Sequence, residues 1–241
     1  RAAFPLHFEV PRAWIEQPTG FSRIGLINRH DVLFDGKTLK YIEFNTDNPG
    51  GKGWTDLLGQ VFREVPLFGD LIDLSEAEDR PILSGLFDTM MEAYAQWGQG
   101  DKPRLSVLGM QDWHRGDGEI VRDYFVERGV EANLHDVRNL TYRDGRLHSD
   151  GVQFDLIMRA VKARFYLMWP QAMGDFHAAM ADNAACMVNS WRCLLGAEKA
   201  LMSFITNPLN HDLFEEEEVR VIKAHVPWTR TFAEGDTISP E

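Results

Sequence analysis

The stretch RHDVLFDGKTLKYIEFNTDNPGG, residues 29–51, holds two strand-like runs around an Asp-Gly turn and then breaks into a loop. The runs are RIGLINRHDVLF (23–34) and TLKYIEFN (38–45), with Asp35-Gly36 between them as the turn signal. Side chains alternate faces along a strand. Glu43 and Asn45 therefore share a face with Tyr41, and Ile42 and Phe44 point the other way. On the first run Arg29 and Asp31 share a face with Ile27 and Leu33. Whether the two polar pairs meet depends on the connection. A two-residue turn sets Asp31 opposite Lys40 and leaves the pairs on opposite faces. A five-residue connection, 35–39, sets Asp31 opposite Glu43 and Arg29 opposite Asn45, with opposed Cβ atoms about 4.5–5.5 Å apart.

Carboxylate and amide oxygens without His or Cys suit a hard cation, most naturally Mg2+. Arg29 stays off such a metal but can hold a phosphate or carboxylate bidentately, or stabilise charge in a transition state. The run Asp47-Asn48-Pro49-Gly50-Gly51 is a tight loop whose backbone amides can approach a ligand. The spacing fits equally well a half-solvated strand pair with Arg29 in a surface ion pair, followed by an ordinary Pro-Gly-Gly turn.

Outward from this stretch the chain reads as an α/β protein. Residues 1–22 form an arm or short helix packed on the body. Helices are expected over 54–64 and over 75–97, the latter with Ser75 and Glu78 as a capping box and Pro81 in its first turns or dividing it. RLSVLG (104–109), a helix over 117–128 ending at Gly129, and VEANLHD (130–136) suggest a parallel βαβ unit, and GMQDWHRGDGE (109–119) is its βα loop. YRDGRL (142–147) is a small hairpin. FDLIMRAV (154–161) and ACMVNS (185–190) are strands, and 172–182, 196–206 and 211–224 are helical. The four glutamates 215–218 sit near the start of the last helix, where the macrodipole favours them. The tail 232–241 is polar.

The bulk properties narrow the function. The 241 residues are 44% hydrophobic and 26% charged, an ordinary globular composition. A net charge of -12 argues against a general nucleic-acid or membrane-surface binder, which needs a basic face. Two cysteines, Cys186 and Cys193, make no disulfide framework, so a reducing, cytoplasmic setting is expected. No apolar run approaches the roughly 20 residues of a membrane span. The N-terminus carries no signal pattern and no initiator Met, so a trimmed piece of something longer is expected. HExxH, GxSxG, the Walker lysine motif and CxxC are all absent. His30, His114 and His211 each stand near an acid without forming a catalytic pattern.

The 29–51 stretch resembles the segment Arg-x-Asp … Glu-x-Asn-x-Asp-x-Pro of the circularly permuted ATP-grasp ligases, the group of the glutathionylspermidine synthases. The resemblance implies that Asp31, Glu43 and Asn45 hold Mg2+ against ATP phosphates and that Arg29 stabilises the reacting acyl-phosphate. It implies substrate contacts from Asn48, Gly50 and Gly51, although Gly50-Gly51 stand where those synthases carry a Thr/Ser pair. NSWRCLLGAEKALMSFITNP (189–208) is similar to the family segment ending Asn-Lys-Ala, which makes Lys199 an ATP contact, with Glu198 in place of the Asn. FDLIMRAV resembles the family's Asp-hydrophobic-Tyr-Arg-Arg strand and makes Arg159 a substrate contact. VPWTR (226–230) looks like the stretch before the ATP-grasp core.

The expected fold is α/β, a mixed sheet with flanking helices: a pre-ATP-grasp, Rossmann-like domain plus part of an ATP-grasp fold. The expected division is 1–100 with the metal and substrate strand pair, 101–195 as the pre-ATP-grasp-like domain, and 196–241 as the start of the ATP-grasp segment, its remainder missing. The expected function is ATP- and Mg-dependent carboxylate–amine ligation of a small-molecule or peptide carboxylate and an amine. A homo-oligomer or a missing C-terminal half would complete the protein. The alternative is a non-catalytic binding module for a peptide-like carboxylate or a partner subunit.

Overall fold

Four parallel strands carry the core, and their side chains alternate between two apolar layers. The computed structural model describes residues 11–71, 80–99, 102–110 and 116–231. In chain order these begin with α1 (Arg12–Glu16), β1 (Arg29–Phe34), β2 (Leu39–Asn45), α2 (Lys52–Glu64), α3 (Pro66–Leu71) and α4 (Ile82–Trp97). Then come β3 (Arg104–Gly109), α5 (Asp117–Glu127), β4 (Glu131–Asp136), β5 (Leu140–Arg143), β6 (Arg146–Ser149), β7 (Val152–Phe154) and β8 (Leu156–Arg159). The rest are α6 (Ala163–Met168), α7 (Pro170–Ala181), β9 (Cys186–Val188), α8 (Leu194–Ala197), α9 (Ala200–Thr206) and α10 (Glu216–His225). The fold is mixed α/β, with three sheets among the described residues and flanking helices.

The main sheet has the order β4-β3-β8-β9, and every pair in it is parallel. Parallel sheets are covered on both faces, and this one follows the rule. Leu105, Val107, Leu156, Met158, Cys186 and Val188 pack with α4 and α5 through Met90, Tyr94, Val121 and Phe125. Leu108, Ile157 and Met187 face the other way, toward Met173 and Phe176 of α7 and Leu147 and Phe154 of the small antiparallel sheet β5-β6-β7. From β3 the chain crosses to β4 on one side, and from β8 to β9 on the other. The strand order therefore switches between β3 and β8, and in such sheets the crevice outside the carboxyl ends at the switch receives ligands.

Several sequence expectations shift by a physical cause. The strand expected over 154–161 is two strands, β7 and β8, because Asp155 makes a corner: its Oδ1 accepts from the Arg104 amide at 2.8 Å and its Oδ2 from the Tyr94 hydroxyl at 2.9 Å. The helix expected over 196–206 breaks at Glu198 and Lys199 into α8 and α9. The first strand begins at Arg29, not residue 23. Pro81 stands just before α4, with extended backbone that ends any upstream helix. The Ser75–Glu78 capping box and residues 111–115 of the 109–119 loop fall outside the described residues. Asp144-Gly145 makes the expected two-residue hairpin, both residues at positive φ. A second Asp-Gly pair, 150–151, turns β6 into β7 in the same way. Among the described residues no helix is long and apolar enough to cross a membrane.

Candidate functional site

The β1–β2 ribbon settles the register question. Arg29 pairs with Asn45, and Asp31 with Glu43. The connection has four residues, 35–38, in which Asp35 Oδ1 accepts from the amides of Lys37 at 2.9 Å and Thr38 at 2.7 Å. A four-residue link alone would slip the polar pairs apart. A bulge makes up the difference: the pairing steps from Asp31–Glu43 to Val32–Tyr41, leaving Ile42 as the extra residue. One unpaired residue shifts the facing by one, so all four polar side chains share a face.

They converge closely. Arg29 Nε lies 3.3 Å from Asp31 Oδ1. In the orientation that satisfies both ends of the Asn45 amide, Nδ2 donates to Glu43 Oε1 at 3.1 Å and Oδ1 accepts from Arg29 Nη2 at 3.2 Å. In the other orientation Nδ2 reaches Asp31 Oδ1 at 3.3 Å. Lys199, set between α8 and α9 by the break at Glu198, brings Nζ to 3.5 Å from Glu43 Oε2. Among the described residues no cluster of three His, Cys, Asp or Glu side chains forms. The group is two carboxylates and an amide, the donor set that suits Mg2+ rather than a softer metal.

Beside this group lies a cavity of about 330 Å³, lined from the ribbon side by Arg29, Glu43 and Asn45. Asn48, Pro49 and Gly50 of the loop form another part of its wall, and Lys162 and Ala163 follow β8. Leu194 and Ala197 of α8 add apolar surface. Gly51 is not in the wall. It precedes α2 at φ +88°, a conformation that favours glycine, and its amide donates to Asp117 Oδ2 at 3.1 Å.

Arg159, expected as a substrate contact, lies beneath the loop instead, only 1% exposed. Nε donates to the Asn189 carbonyl at 3.1 Å, Nη1 to the Val161 carbonyl at 2.8 Å, and Nη2 to the Asp47 carboxylate. The guanidinium also stacks over Trp191, 4.3 Å from the ring centre. One side chain thus ties the loop after β2 to the turn after β8.

Three further residues hold the site and were not candidates in the sequence. Asn189, at the carboxyl end of β9, accepts from the amides of Leu26 and Ile27 and donates to the carbonyls of Ile27 and Thr46. It fastens the open end of the ribbon, where the chain enters β1 and leaves β2, to the main sheet. The signal available was a polar Asn directly after the apolar run Cys186–Val188. Asp117 caps α2 from the start of α5, accepting from the amides of Gly51 and Gly53. Lys52 is buried behind the loop, bonded to the Pro49 carbonyl and 3.8 Å from Asp117. Burial pushes its ammonium below the usual lysine range. Asp117 opposes that shift, and the nearby Arg29 adds to it.

No family model matches the chain. No curated protein matches it either. Solved structures do. The glutathione synthetase-like effector GSS30 of Globodera pallida, in its apo form, superposes with a TM-score of 0.58 at 14% identity, over 83% of this chain and 49% of that one. The chain thus spans about half the length of that protein. At this identity the likeness concerns the fold: the chain shares a glutathione synthetase-like fold.

Proposed function

We propose that this chain carries the metal and acid-substrate side of an ATP-dependent carboxylate–amine ligase, of the circularly permuted, glutathionylspermidine synthase-like kind. The observation that carries the reading is the convergence of Asp31, Glu43 and Asn45 with Arg29 on one ribbon face, beside a cavity large enough for a small acid. In this reading the γ-phosphoryl of ATP passes to a substrate carboxylate, and an amine displaces phosphate from the acyl-phosphate to leave an amide, ADP and phosphate. Asp31, Glu43 and Asn45 would hold Mg2+, which neutralises phosphate charge when bound. Arg29 places its guanidinium where the carboxylate and the transferring group meet. Lys199, beside Glu43, contributes a second positive charge for ATP phosphates. Asn48 and Gly50 face the acid, and Gly51, held by Asp117, fixes the end of their loop. The buried thiols of Cys186 and Cys193, unpaired in a disulfide, are in keeping with a reducing, cytoplasmic setting.

The test is ADP release by the full-length protein with MgATP, a panel of acids and a panel of amines, for the native protein and Glu43→Gln. The expected result is acid-dependent ADP release that falls by about 100-fold or more in the variant, the scale of losing charge stabilisation in a transition state. Full activity in the variant would remove Glu43 from the metal site. A second reading is a binding module for a peptide-like carboxylate, drawn from a cavity that can take an acid without nucleotide. Saturable binding of an acid with no ATP turnover by the full-length protein would select it.

A further inference from the structure

The charges around the cavity are matched in pairs, with one exception. Asp31 faces Arg29, Glu43 faces Lys199, and Asp47 is neutralised by Arg159. Lys162 is exposed and lines the same cavity, and its ammonium meets no hydrogen-bond or ion-pair partner among the described residues. Two features make this more than a solvated lysine. Its place is the turn after β8, at the carboxyl edge beside the switch in strand order, where ligands of parallel sheets sit. The backbone beneath it is also fixed: Arg159 holds the Val161 carbonyl with one nitrogen and the Asp47 carboxylate with another, so loop and turn keep a set spacing. In a chain of net charge -12, an unmatched ammonium in a cleft is the local feature that can attract an anion.

The geometry points to a second anion subsite at Lys162: the acid substrate is a short aliphatic dianion. One carboxylate lies at Arg29, and the second anionic group lies at Lys162. Pro49, Ala163, Leu194 and Ala197 of the same cavity wall offer apolar contact for a carbon stem. A lysine ammonium is a point charge and does not by itself separate a carboxylate from a phosphonate or phosphate. This subsite rests on the ligase reading for its role in turnover, but its binding does not need ATP.

The experiment is calorimetric titration of the full-length protein, without nucleotide, with three probes of matched length: glutarate, pentanoate and 4-phosphonobutyrate. Native protein is expected to bind glutarate about tenfold or more tighter than pentanoate, the scale of one charge-assisted contact. Lys162→Met is expected to bring that ratio to about twofold or less, and Lys162→Arg to keep most of it. The Lys162 side chain supports no other group, so an unchanged melting temperature serves as the folding control. The 4-phosphonobutyrate arm tells which second anion is preferred. Equal binding of glutarate and pentanoate by native protein, no binding of either, or a ratio untouched in Lys162→Met would each overturn the subsite. Failure of the ligase reading looks different: the Lys162-dependent ratio persists, and no acid elicits ADP release.

Discussion

Arg159 and Asp47 meet beneath the substrate-side loop, guanidinium to carboxylate, with the arginine side chain 0% and the aspartate side chain 12% exposed. The pair joins the end of the parallel sheet to the loop that leaves the β1–β2 ribbon. Truncating one partner of a buried pair leaves the other charge without compensation and costs about 3–5 kcal/mol. Arg159→Met should therefore destabilise the protein by about that amount in urea denaturation. Asp47→Asn/Arg159→Met should be less damaging than the sum of the single changes. Strict additivity would mean that the two side chains are not energetically coupled.

Asp117 caps α2 and faces the buried ammonium of Lys52. Asp117→Ala removes the cap and leaves that ammonium without its counter-charge, at a cost of about 2 kcal/mol or more. Adding Lys52→Met should recover part of the loss, because the uncompensated charge is gone. A double variant less stable than Asp117→Ala, measured by the same denaturation, would count against this account.

Two glycines of α2 should answer alanine oppositely. A Cβ on Gly53 would lie 2.5 Å from Ile120 Cγ2 and 2.7 Å from its Cβ, so Gly53→Ala forces α2 away from α5 and should cost about 1–3 kcal/mol. A Cβ on Gly59 meets nothing within 4 Å, and Gly59→Ala should stabilise by about 1 kcal/mol through helix propensity. Thermal melts of both variants decide this.

His177 packs against Trp14 with the rings tilted by 31° and 3.8 Å between their centres, and burial pulls its imidazole from 6.5 down to about 4. Between those values the unfolded chain binds more protons than the folded one, so stability rises with pH across that window. The contribution is complete above 6.5 and is lost as pH falls toward about 4. Melting temperatures from neutral to acidic pH should fall less steeply for His177→Phe than for the native protein. Equal slopes would show that His177 does not set the acid sensitivity.

The sequence by itself determined the elements and the chemistry they carry. Period-two alternation placed Glu43 with Asn45 and Arg29 with Asp31, because that period is a property of any strand. Asp144-Gly145 wrote its hairpin into two residues whose turn needs positive φ. The apolar runs at 104–109 and 185–190 declared strands, the first of them in a parallel βαβ unit. What stayed open was every relation set between elements. Whether Asp31 met Glu43 turned on a bulge at Ile42, and a bulge is a compromise between the turn geometry and the packing of both strands. The ends of α8 and α9, and hence the approach of Lys199 to Glu43, depended on the break at Glu198. Asn189 looked like a polar residue near a strand end, and Arg159 was expected to contact substrate. They become the fasteners of the site only because the parallel sheet brings residues 27, 47, 161 and 189 to one edge. Local pattern reports which way a side chain faces along its own strand, and only the tertiary structure decides what stands opposite it.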